Sequence, residues 1–271
     1  MKYVFKADDY KEAIERLCLD TPESWMRYGV QVAAKDRTSE TQRLRPPGPL
    51  PGCYAKIYRY PHWRDRMRIL FRGGLLGRSR ARVEFDNLRH LNTLGLSPRV
   101  VAYAVQRRFG LLTGTLLVVE EVGGASAMDA FAAGPLGTLS RGERGQFIRA
   151  LATFTRQMNT GGFVNSQFHW RNILVRKTKD GFVFQVIDPS SSRQRLRLLY
   201  PYYDLATLDV CGSHFFTRAE RLRFLKCYWG CNGERLTDDQ KKQVSKIAAL
   251  RETLSGTELV RYRHILNKVK N

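Results

Sequence analysis

The strongest constraint on the fold lies in residues 164–189, which read VNSQFHWRNILVRKTKDGFVFQVIDP. Ile173, Leu174 and Val175 open an apolar strand, Lys179-Asp180-Gly181 supplies a turn, and Phe182, Phe184 and Val186 alternate with their neighbours up to Asp188. Alternation on both sides of a Gly-containing turn predicts a β-hairpin half-buried against something else. The hairpin has a polar loop at its entry and an Asp at its exit.

The flanking sequence predicts two different regions. Residues 1–24 read as a short helical or irregular lead-in, with Thr21-Pro22-Glu23 as a cap followed by Pro at the first helical position. Residues 25–45 are mixed and polar around GVQVAAK, and Arg45 to Gly52 form a Pro/Gly-rich break. CYAKIYRY from Cys53 predicts a strand, and Arg80 to Leu94 an amphipathic helix ended by Gly95. RVVAYAVQ and LLTGTLLVVEEV predict two more strands about a turn at Arg108-Phe109-Gly110. Beyond Gly123-Gly124 the character is helical. Capping-box spacing at Ser140/Glu143, Thr217/Glu220, Thr237/Gln240 and Ser255/Glu258 proposes four helix starts. The expected class is α+β, with a β-rich lobe over 1–122 and a helical lobe over 123–271 that carries the hairpin.

A chain of 271 residues with 43% hydrophobic content can bury a full core. No apolar run is long enough to span a bilayer, and the N-terminus lacks a signal-peptide stretch, which predicts a chain kept in the cytosol. The five cysteines are scattered. Cys227 and Cys231 have no nearby His and make a poor metal site, so reduced thiols are expected. The charge is +21, from 46 Lys and Arg against 25 Asp and Glu, with concentrations at Arg59–Arg82 and Arg193–Arg197. Such a field attracts polyanions: nucleic acid, an anionic leaflet, a phosphorylated glycolipid or an acidic protein.

Phosphoryl transfer from ATP needs positioned charge more than covalent help from the protein. Lys56 lies mid-strand, where a Lys grips the α- and β-phosphates. Glu84 lies 28 residues on, in the helix, where it can reach back to that Lys. Asn172 and the strand-end Asp188 suit metal ligation, and LLVVEEV suits a hinge strand with backbone groups of Glu120, Glu121 and Val122 facing adenine. The loop departs from the H-x-D-x-x-x-x-N pattern of kinases: Asn165 stands at the His position and Gln167 at that of the Asp that accepts the hydroxyl proton. Gln167 can orient a nucleophile by hydrogen bonding, and His169 is either a substitute base, if its ring turns inward, or a loop His hydrogen-bonded to backbone.

HWRNILV, VIDP, EFDNLRHLNTLGLSPRVVAY and YYDLATLDV…FFTRAERLRFLKCYWG resemble the lipopolysaccharide kinase (Kdo/heptose kinase, WaaP-like) family, over roughly residues 25–232. The resemblance implies a two-lobed protein-kinase-like fold, ATP and Mg²⁺ as ligands, and a sugar of the lipid A–core as acceptor at the inner face of the cytoplasmic membrane. Carried over, Lys56 grips ATP, Glu84 pairs with it, Asn172 and Asp188 hold metal, and Asp204 supports the catalytic loop. DRTSETQR, residues 36–43, stands where a Gly-rich loop would cover the phosphates. The implied partners are lipopolysaccharide core or another phosphorylated glycolipid and an anionic membrane surface, with an acidic carrier protein as one the charge admits. An active sugar kinase and a nucleotide-binding pseudokinase both fit. Nucleic-acid binding rests only on charge and on aromatics such as Trp63, Trp170 and Tyr202, and ranks below both. An aminoglycoside kinase would need an acidic acceptor pocket.

Overall fold

The computed structural model describes residues 1–64, 66–67, 79–164, 168–189, 201–231 and 233–269, with 255–269 described by backbone alone. Gln167, Asn165, Arg68, Arg72, Arg78 and the basic run 193–197 lie outside the described residues. The chain divides into two compact units, Met1–Asn92 with Pro98–Gly123, and Thr93–Ser97 with Gly124–Asn271. The first is built on a sheet and the second is largely helical.

In the first unit, β1 (Lys2–Lys6), β2 (Gly29–Lys35), β3 (Ser39–Leu44), β4 (Cys53–Arg59), β5 (Val100–Arg108) and β6 (Leu111–Glu120) form one antiparallel sheet ordered β1-β5-β6-β4-β3-β2. The period-2 alternation of the central strands supplies a core on each face. Cys53, Ala55, Ile57, Leu116 and Val118 pack with Ile14, Leu19 and Trp25 from the region of α1 (Lys11–Arg16) and α2 (Pro22–Met26). On the opposite face Tyr58, Tyr60, Tyr103 and Leu117 meet Ala81, Phe85 and Leu88 of α3 (Arg80–Thr93), with Phe85 stacked on Tyr103 at 4.6 Å between centroids. Gly95, at φ 71°, follows the end of α3 in the left-handed conformation that glycine adopts without strain.

In the second unit β7 (Ser126–Ala127), β8 (Ile173–Thr178) and β9 (Gly181–Val186) form a three-stranded sheet. Phe182 and Phe184 project from one face of β9 onto Phe147 of α5 (Arg141–Thr160), at 5.2 and 5.1 Å between centroids, and Phe154 joins them. This is the partner surface that the alternation of the hairpin requires. α4 (Met128–Ala132), α6 (Pro201–Phe215), α7 (Arg218–Trp229) and α8 (Asp238–Val269) complete the unit. A cavity of about 520 Å³ opens among α5–α8, mainly apolar, with Asp209 in its lining held by Arg221 and Arg251 at 3.0 and 3.2 Å.

Three capping boxes form as their spacing predicts. Ser140/Glu143 and Thr217/Glu220 make both reciprocal bonds, and so does Thr237/Gln240, at 2.9 and 3.2 Å. The fourth does not start a helix: α8 runs unbroken from Asp238 to Val269, through Ser255 and Glu258. Within a continuous helix the preceding turn already accepts those N–H groups, so the spacing carries no boundary.

Two further expectations are corrected. The lead-in is more than helical or irregular, because Lys2–Lys6 is a strand paired with β5. Residues 29–44 form the β2–β3 hairpin, although every residue of β2 is exposed. An outer strand with neither face covered has no hydrophobic period to betray it.

Candidate active site

On the first unit, Lys56 sits at the centre of β4, opposite Thr41 on one side and Leu117 on the other. Its strand position aims it at the α3 face, which the neighbouring Tyr58 and Tyr60 share. There Lys56 Nζ donates to both carboxylate oxygens of Glu84, at 3.1 and 3.0 Å. Tyr58 Oη donates to Glu84 Oε2 at 2.7 Å, and the Lys56 ammonium lies 5.4 Å from the Tyr58 ring centroid. Glu84 is 3% exposed. A carboxylate this deep is tolerated because a cation and a phenol both satisfy it. The sequence predicts Lys56 with Glu84 and misses Tyr58. Its signal is the i, i+2 spacing, which puts Tyr58 on the same strand face as Lys56.

The hinge stretch is tied into the same unit. Glu120 N–H donates to Arg99 O at 2.9 Å, and Glu121 N–H to Gly52 O at 2.7 Å. The Glu121 carboxylate is clamped by Arg43, at 2.6 Å, and by Arg45. Its hydrogen bond from Arg45 holds the Glu121 acid below the usual carboxylate range. Tyr10 donates to the Glu120 carboxylate at 3.0 Å. Among the described residues, the Val122 N–H has no backbone partner.

On the second unit, Asn172 and Asp188 come together at one end of the hairpin. Ile173 pairs with Val186, and Ile187 N–H donates to Asn172 O at 2.9 Å, so Asp188 leaves the sheet beside Asn172. Asp188 has φ 50°, an unusual left-handed conformation for a residue with a side chain. Asn172 is itself buried, in a short 3₁₀ turn whose Asn172 N–H donates to His169 O. Trp170 anchors that turn through Nε1 to Leu208 O at 2.9 Å and by stacking on Phe215. His169 is 4% exposed.

Asp204 of α6 is fully buried and accepts from Asn159 Nδ2 at 3.2 Å. The same amide donates to Phe163 O, and Tyr228 donates to Asn159 Oδ1. Asn159 therefore connects Asp204 to the backbone that leads into residues 165–167. The sequence reading missed this relay, because nothing in the spacing of residues 159, 163, 204 and 228 announces a contact.

For Mg²⁺, the donor set is a carboxylate and an amide oxygen on adjacent chain segments. Hard oxygen donors, few in number and supplemented by phosphates, are how that ion is usually bound. Among the described residues no cluster of three or more His, Cys, Asp or Glu offers a rival metal site. All five cysteines are free thiols, and burial pushes the Cys53 thiol up to about 12.

The fold and these paired residues define the protein-kinase-like class, with a β-sheet unit carrying the Lys–Glu pair and a helical unit carrying the Asn–Asp pair. Residues 49–228 match the family model described as lipopolysaccharide kinase (Kdo/WaaP) family, and the chain belongs to that family. A solved structure described as WaaP in complex with acyl carrier protein is similar at a TM-score of 0.68 and 19% identity, covering 93% of this chain and 98% of that one. Another, Rad53 residues 1–466 in complex with AMP-PNP, gives a TM-score of 0.48 at 14% identity over 90% of this chain and 64% of its own. No curated protein matches the chain.

Proposed function

We propose that the protein phosphorylates a hydroxyl of a heptose or Kdo residue on the lipid A–core, using ATP. The observation that carries this reading is the buried Lys56–Glu84 pair, locked by Tyr58, in a member of a lipopolysaccharide kinase family. Lys56 grips the α- and β-phosphates while Glu84 and Tyr58 fix its position. Val122 N–H donates to the adenine edge. Asn172 and Asp188 hold Mg²⁺, which when bound neutralises charge between the phosphates. The acceptor oxygen attacks the γ-phosphorus as the bond to the ADP oxygen breaks, and Gln167 orients the hydroxyl by hydrogen bonding. A Gln cannot take the proton, and a general base is worth about 10²–10⁴ in rate, so turnover is slow and the proton leaves late, from a loose transition state.

Gln167 also supports a second reading, a pseudokinase that binds nucleotide as a regulatory or scaffolding module of core assembly. Both readings place the chain peripherally at an anionic membrane surface, with its +21 charge toward phosphorylated glycolipid. That charge also suits an acidic carrier protein, and the similar WaaP structure is a complex with acyl carrier protein.

The deciding experiment pairs a thermal-shift titration with Mg·ATP and single-turnover transfer of labelled phosphate to heptose-containing core. Stabilisation with transfer, both lost in Asp188→Ala, supports the kinase. Stabilisation without transfer supports the pseudokinase. Absence of both stabilisation and transfer overturns both readings.

A further inference from the structure

The register of the first unit's sheet gathers four chain segments at one end. β1 begins there, with Lys2 opposite Val105. β5 turns into β6 there, with Arg108 opposite Leu111. β4 leaves there, with Arg59 opposite Gly114 and Tyr60 N–H donating to Thr113 O at 2.9 Å. The β2–β3 turn closes there as well, since Arg59 N–H donates to Thr38 O at 2.8 Å.

Two large aromatics stand out on this rim. Phe109 is 91% exposed at the tip of the β5–β6 hairpin, between Arg108 and Gly110, and Trp63 is 67% exposed in the turn after β4. Arg66 holds the Trp63 turn by donating to Tyr60 O and Pro61 O at 2.7 and 2.8 Å. Phe109 and Gly110 have φ 52° and 77°, the positive pair of a two-residue hairpin turn that Asn-Gly normally fills. A Phe here is strained, and its exposure means that no packing within the fold repays the strain. The fold alone does not explain why it is there.

Its surroundings are cationic. Arg107 and Arg108 precede it, with the Arg108 guanidinium 5.5 Å from the Phe109 ring centroid. Arg64 adjoins Trp63, and Arg37 lies in the β2–β3 turn; all four arginines are exposed. Among the described residues, the acids of the β2–β3 hairpin are engaged locally. Asp36 accepts from Thr38 and Ser39 amides at 2.8 and 2.7 Å, which hold its acid low, and Glu40 lies 3.6 Å from Arg59.

We propose that this end of the sheet docks on an anionic lipid bilayer, with Phe109 and Trp63 entering the headgroup region and the arginines around them meeting lipid phosphates. Aromatic side chains flanked by basic residues favour that boundary, because the ring leaves water while the cations meet the negative surface potential. The inference rests on the reading that the acceptor is a membrane-borne glycolipid. It adds a direction to that reading, since residues 36–43, the segment proposed to cover the phosphates, begin on the same rim.

The test is co-sedimentation of the full chain with phosphatidylcholine vesicles, with and without phosphatidylglycerol, beside transfer of phosphate to delipidated core oligosaccharide. The wild type is expected to bind only the anionic vesicles and to release with salt. Phe109→Asn should weaken that binding roughly tenfold while raising Tm, because it relieves the turn. Arg64→Ser/Arg108→Ser should weaken it by at least about tenfold. All three should transfer phosphate to the delipidated acceptor alike. Binding unchanged by these substitutions would overturn the proposal. So would absence of vesicle binding by the wild type, including the case where it binds a DNA or RNA oligonucleotide instead. Vesicle binding without transfer would sink the kinase reading and leave this surface standing; transfer without vesicle binding would do the reverse.

Discussion

At the scale of single residues, the ion pair of Lys56 and Glu84 shows how a buried carboxylate can be held at little net cost. Glu84 is almost wholly removed from water, and its two oxygens are satisfied by one ammonium and one phenol. Removing the cation alone leaves a buried carboxylate with only Tyr58 among these donors. Lys56→Met is therefore expected to destabilise the protein by about 3 kcal/mol, and Lys56→Met with Glu84→Leu to recover most of that loss. Urea unfolding of the two variants measures both. A loss under about 1 kcal/mol in the single variant would mean that water reaches Glu84. The sequence makes Lys56 and Glu84 visible, because a strand Lys and a helix Glu at this separation have a chemical reason to meet. Tyr58 was legible only as a same-face neighbour of Lys56; its bond to Glu84, like that of Asn159 to Asp204, joins residues that only the fold brings near.

At the scale of elements, Glu220 serves two helices at once. It completes the capping box of α7 with Thr217 and accepts from Arg144 of α5 at 2.8 Å. The Arg144 hydrogen bond is the largest cause of its acid falling from 4.5 to about 2. Because the folded value lies below the unfolded one, ionised Glu220 stabilises the fold above pH 4.5, and this contribution is lost as pH falls toward 2. Glu220→Gln should lower the urea midpoint at pH 7 and flatten the acid limb of stability between about pH 4.5 and 2. Parallel curves for variant and wild type over that range would disprove the link. The cap was legible locally, because its two bonds span three residues. The bond to Arg144 spans 76 residues and was not.

At the scale of the whole molecule, an excess of 21 positive charges opposes compaction through self-repulsion. Added salt screens this repulsion over distances beyond about 10 Å, while the short ion pairs such as Lys56–Glu84 are partly shielded from it. The expected result is a Tm that rises by a few degrees between low and physiological ionic strength. A falling Tm in a scanning experiment would show that local pairs outweigh net repulsion. Among the described residues no helix is long and apolar enough to cross a membrane.

The sequence by itself determined the elements whose information is local: the alternation of β4, β6 and the β8–β9 hairpin, the amphipathic α3 ended by Gly95, and three capped helices. It also carried enough of the family's residues to make the kinase-like class readable. Tertiary structure alone decided that Lys2–Lys6 is a strand, that the exposed residues 29–44 form a hairpin, and that Ser255 interrupts nothing. Outer strands take their definition from a ladder partner far away in the chain, and a helix boundary depends on which N–H groups lack acceptors. The basic aromatic rim follows from the same rule. Lys2, Arg37, Trp63 and Phe109 share one end of a sheet because of register, and register is a property of pairing rather than of any single segment.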